Sequence, residues 1–176
     1  RKRCRIHIIF FLNQSLQTST RKRTIMESEA SKSNQNVISV QIEVVPEQVF
    51  AALTNVTAHV DWARGPEEIR NLSENPAKLG TSFQQVGKLM GRKLIAECQV
   101  DLYEENRRFG FKGDKPFPFQ VRWELEPGAS GTLVTMSGQF EPDGFFKMAK
   151  PLLNSSMESQ MNSDMLSLKA MLEAEA

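Results

Sequence analysis

The chain has 176 residues, of which 40% are hydrophobic and 24% charged, the balance of an ordinary globular protein and long enough to bury a core. Its net charge of +1 hides an asymmetry: the first 25 residues carry seven Lys or Arg and no acid, which leaves 15 basic residues against 21 acidic ones. The remainder is therefore acidic, which excludes a basic nucleic-acid surface on it. Two cysteines, Cys4 and Cys98, make no disulfide framework and point to free thiols in a reducing compartment, hence a cytoplasmic protein.

Residues 1–36 read as a basic, then polar, extension outside the fold. Met26-Glu27-Ser28 precedes the change in composition, so one expectation is that translation starts at Met26. A second is an organelle-targeting peptide, because the segment is basic, bears Ser and Thr and lacks acids until Glu27. A signal or anchor fits less well. The apolar run Ile6–Leu12 contains His7 and falls short of the ~20 residues of a membrane span, so stable membrane insertion is not expected.

The folded domain is expected over 37–176. Ile38, Val40, Ile42 and Val44 alternate with polar residues and predict a half-buried strand. Pro46-Glu47 favours a helix start, with Val49, Phe50 and Leu53 on one face. A second short helix is expected over 57–62, ended by Gly65-Pro66. Strands follow until about Glu141. A weak one covers 69–74, and a hairpin joins 81–89 to 92–103, with Leu94, Ala96, Cys98, Val100 and Leu102 on a shared face. Phe109 and Phe111 mark a short strand. Phe119, Val121, Trp123 and Leu125 alternate with polar residues in the next, and Val134, Met136 and Phe140 point inward from the last.

Gly144 to Ala176 predicts one long amphipathic helix. Leu153, Met157, Met161, Met165, Leu168 and Leu172 fall at helical spacing on one side, with Asn154, Glu158, Asn162 and Lys169 opposite. An antiparallel meander with one dry face needs a cover, and this stripe provides it.

The order strand, two short helices, six strands, long helix resembles the helix-grip fold, an α+β architecture in which a curved antiparallel sheet of about seven strands wraps a C-terminal helix. The segments Val44-Val45-Pro46-Glu47-Gln48-Val49-Phe50, Gly80-Thr81, Met90-Gly91-Arg92, Val100-Asp101-Leu102-Tyr103-Glu104, Gly131-Thr132-Leu133-Val134-Thr135, Phe140-Glu141-Pro142 and Leu166–Leu172 are similar to the SRPBCC (START-like) superfamily. Within it they resemble the polyketide cyclase/dehydrase and lipid-transport-like branch. The resemblance implies a cavity between sheet and helix for a small apolar or amphipathic molecule, lipid or polyketide-like, and by itself no reaction.

The expected ligand-binding residues are Trp62, Phe83, Cys98, Phe111, Trp123, Met136, Leu153, Met157, Met161 and Met165. Each has a plain core-packing role as its alternative. No catalytic residue is assigned. His59 is the domain's single histidine, without the second histidine or cysteine that a zinc or iron site requires, so it reads as a surface residue and no metal or cofactor is expected. Glu67-Glu68 and Glu104-Glu105 read as solvated turn residues, and Arg122 falls on the wet face of its strand. A cyclase/dehydratase-type enzyme using the same cavity is the first alternative, and needs an inward titratable group. A subunit-like or chaperone-associated protein is the second, and needs an exposed apolar patch.

Overall fold

The structure, a computed structural model, describes residues 35–89 and 91–175. The extension before them, with its translation-start and targeting readings, lies outside the described residues. Strand β1 spans Gln35–Ile42, two residues earlier than the alternation begins. Pro46–Thr54 forms helix α1, with Pro46 in the first turn, where its missing N–H is no loss. A 3₁₀ turn at Val56–Ala58 leads into α2, His59–Trp62. Strands β2 (Pro66–Arg70), β3 (Ser82–Leu89), β4 (Arg92–Glu104), β5 (Arg108–Lys115), β6 (Phe119–Gly128) and β7 (Gly131–Phe140) follow. The weak strand expected over 69–74 thus sits earlier in the chain, ending where Asn71 takes a left-handed φ of 51°.

The seven strands form one antiparallel curved sheet in the order β1-β7-β6-β5-β4-β3-β2, a meander from β2 to β7 closed by β1 against β7. The inward side chains of β6 pair across the sheet as the alternation requires: Trp123 stands opposite Met136 and Leu125 opposite Val134. One expectation fails in β4. A bulge between Val100 and Leu102 inserts Asp101 into the ladder with β5. The extra residue reverses the alternation. Val100 pairs with the buried Phe111, Tyr103 with the buried Phe109, and Leu102 with Gly110, so Tyr103 rather than Leu102 joins the core, its ring 5.3 Å from that of Phe50. Asp101 instead holds Arg122 in a two-pronged ion pair, its Oδ2 accepting from Nη2 at 2.8 Å.

The C-terminal segment also departs from one continuous helix. It breaks at Ala149 into α3, Gly144–Met148, and α4, Lys150–Ala174. Pro151 in the first turn of α4 has no N–H to continue a preceding helix, so it starts one instead. The predicted stripe packs on the sheet: Leu153, Met161, Met165, Leu168 and Leu172 are buried and Met157 half-buried. The far end of α4 is tied to the exit of β1. Lys169 Nζ donates to the Gln41 carbonyl at 2.7 Å and to Glu173 Oε1 at 2.8 Å, and the Glu43 N–H donates to the same Glu173 oxygen at 2.8 Å. Among the described residues no helix is long and apolar enough to cross a membrane.

Candidate functional site

A cavity of about 180 Å³ lies beneath the first half of α4. Its wall comes from several parts of the fold, the loop at Pro116 and Phe117 among them. The sheet contributes Phe111, Phe119, Val121, Trp123, Met136 and Phe140; α4 adds Met157, Gln160, Met161 and Asp164; α2 adds His59 and Trp62; the segment after it adds Ala63, Gly65 and Pro66. Of the ten residues expected at the site, Trp62, Phe111, Trp123, Met136, Met157 and Met161 line this space. Phe83, Cys98, Leu153 and Met165 are buried in the core outside its wall. Phe83 packs edge-on against Phe111 with centroids 5.2 Å apart, so it backs the wall rather than forming it. Burial pushes the Cys98 thiol up to about 12, which leaves it a small apolar core residue.

His59 corrects the surface reading: it is 2% exposed. The 3₁₀ turn redirects the chain so that the first residue of α2 faces inward. There its Nε2–H donates to the Leu53 carbonyl at 2.8 Å, one of the acceptors that the end of α1 leaves over. Desolvation outweighs that bond and lowers the pKa to about 4, so the ring is neutral at pH 7. With Nε2 donating, Nδ1 is left as an acceptor. The imidazole contacts both indoles, its centroid 5.0 Å from that of Trp62 and 6.4 Å from that of Trp123. Both indole N–H groups are buried without a hydrogen-bond partner among the described residues.

Asp164 is the site residue that sequence reasoning missed. It falls three residues after Met161 and four before Leu168, the spacing that also placed the methionines on the buried face. That position was the available signal, an acid inside an apolar stripe. It is 5% exposed and lines the cavity. Its Oδ1 accepts the Arg64 backbone N–H at 2.8 Å, which pins the segment after α2 to the helix. Gly87 on β3 has the same segment so close that a Cβ there would overlap the Gly65 carbonyl oxygen. Desolvation raises the Asp164 pKa to about 6, against the lowering effects of the Arg64 N–H, the Arg64 charge and the Gln160 side chain. The buried titratable groups of the wall therefore sit on helices, while the exposed Lys88 reaches it from β3. Glu67 and Glu68 are exposed as expected and engage Lys88 and Arg70.

A curved antiparallel sheet gripping a long helix around such a cavity defines a helix-grip protein of the SRPBCC type. The family model "Polyketide cyclase / dehydrase and lipid transport" matches residues 36–173, and the chain belongs to that family. Solved structures share the fold. TTHA0849 from Thermus thermophilus superposes with a TM-score of 0.68 at 17% identity, covering 81% of this chain and 99% of its own. The Zhui aromatase/cyclase from Streptomyces sp. R1128 gives 0.67 at 13% identity over 79% and 93%. MLL2253 from Mesorhizobium loti gives 0.61 at 19% identity over 81% and 98%. No curated protein matches the sequence.

His59 and Asp164 pull acid stability in opposite directions. The depressed His59 pKa contributes stability that is present above the unfolded value of 6.5 and lost as pH falls through 4. The raised Asp164 pKa contributes stability that is present below the unfolded value of 3.8 and lost as pH rises through 6. Between pH 4 and 6 the two slopes cancel. Asp164→Asn, which keeps the acceptor for Arg64 without the charge, is expected to be more stable than wild type at pH 8 by on the order of 1–3 kcal/mol. It is also expected to lose stability more steeply below pH 6. Urea unfolding at a series of pH values checks both, and parallel pH curves for the two proteins would contradict the assignment.

Proposed function

We propose that the protein binds a small amphipathic molecule with a ring-bearing, polyketide-like body in the cavity under α4. The observation that carries this reading is the wall: aromatic and methionine side chains around a space of about 180 Å³, with a few polar groups among them, Gln85, Gln160 and Asp164. An enclosed cavity of about 150 Å³ accepts benzene. A space of about 180 Å³ therefore suits one or two fused rings better than a long acyl chain. The methionines give the wall a shape that adapts.

A second reading, a cyclase/dehydratase-type enzyme in the same cavity, draws on Asp164 and His59, titratable groups displaced toward opposite protonation states within one apolar wall. Its test is mass-spectrometric detection of cyclised product from a linear poly-keto thioester; absence of turnover over the spontaneous rate sinks it.

The binding reading predicts saturable one-to-one uptake of the neutral two-ring fluorophore 1-aminonaphthalene, with a Kd in the micromolar range. Ala96→Phe, which places a ring in the cavity from β4, should weaken uptake at least tenfold with the circular dichroism spectrum unchanged. Unsaturable uptake, or uptake indifferent to Ala96→Phe, would count against a ligand at this place.

A further inference from the structure

The cavity contains one feature that a container for a purely apolar molecule does not need. Asp164 is 5% exposed, it lines the wall, and among the described residues it takes part in no ion pair. Its hydrogen-bond partners are the Arg64 main-chain N–H and the Gln160 side chain, both neutral groups. A buried carboxylate without a cation is expensive in an apolar wall. Building on the binding reading above, we propose that Asp164 is a specificity-determining residue that selects, as the polar end of the ligand, a protonated amine.

The other charged and titratable groups facing the same space support this choice of sign. From α2, His59 is neutral near pH 7 with its Nε2–H committed to Leu53, so it offers an anion no positive charge. From β3, Lys88 reaches the cavity edge but is engaged by Glu67 at 2.7 Å. The Arg64 side chain is exposed, and its charge lowers the Asp164 pKa less than desolvation raises it. On α4 the neighbour one turn earlier is the uncharged Gln160. What faces a ligand, among the described residues, is thus a carboxylate that ionises above about pH 6, with the Arg64 charge acting on it from outside the wall. An ammonium would form a charge-assisted hydrogen bond there, a hydroxyl only an ordinary one, and a carboxylate would be repelled. The difference between the first two amounts to about tenfold in affinity.

Three naphthalenes of equal body test this: 2-(1-naphthyl)ethylamine, 2-(1-naphthyl)ethanol and 1-naphthylacetic acid, titrated calorimetrically into the full chain at pH 7.5. The expected order is amine tightest, alcohol about tenfold weaker, acid weakest. In Asp164→Asn the ratio of amine to alcohol affinity should fall to about one. A second readout needs no variant. Amine affinity of the wild type should fall below pH 6, by about tenfold in all, as Asp164 takes up a proton, while alcohol affinity does not follow. Equal binding of amine and alcohol, a ratio unchanged in Asp164→Asn, or a flat pH profile would overturn the selection by Asp164 while leaving the cavity as a binding site. Failure of all three compounds to bind would remove the cavity reading, and this inference with it.

Discussion

The fold depends on a mismatch of widths. Seven strands about 4.8 Å apart make a sheet roughly 29 Å across, whereas one helix with its side chains covers about 10 Å. Curvature brings the sheet around α4 but does not let one apolar stripe fill the concave face. The short helices α1 and α2 take up part of the remaining width, with Val49, Phe50, Leu53 and Trp62 buried from that side. The C-terminal half of α4 is packed by Met165, Leu168 and Leu172 and tied to β1 through Lys169 and Glu173. Nearer the N-terminal half the helix is held by the Arg64 N–H on Asp164, and beside that contact the gap persists as the cavity. The space is a consequence of the architecture, and its chemistry is set by whichever side chains α2 and α4 present.

Two of those side chains give the cavity its electrostatic character. His59 and Asp164 lie in the same apolar wall, and burial moves each toward its uncharged form: the imidazole loses its proton more readily and the carboxyl keeps it longer. A wall that tends toward neutrality on both sides of pH 5 suits a mostly apolar occupant. The carboxylate that does form above pH 6 is the charged exception in that wall.

Most of the architecture was legible in the sequence because it rests on periodicity. The two-residue alternation of β1, β6 and β7 and the Leu/Met stripe of α4 are repeated signals, and repetition survives local irregularity. What escaped was local. The Asp101 bulge is a single extra residue with no compositional mark, and it moved Leu102 off the inner face and Tyr103 onto it. The break at Ala149 was readable from Pro151 but was overridden by the length of the apolar pattern. The site was legible as a wall and not as a chemistry. Six of ten expected residues line the cavity; the other four are buried in the core outside its wall. His59 was missed because a 3₁₀ turn, invisible to periodicity, decides which way it points. Asp164 was missed because a stripe read by its apolar members hides a polar one.

The account rests on the cavity holding a small molecule. Native mass spectrometry of the protein purified gently from its own cell extract tests that most directly. The prediction is an added mass of one small molecule per chain, released when Ala96→Phe occupies the space, and carrying a basic nitrogen. Bare protein from fresh extract that also fails to retain 1-aminonaphthalene under the same conditions would contradict it, and the gap beneath α4 would then be a packing consequence of the wide sheet alone.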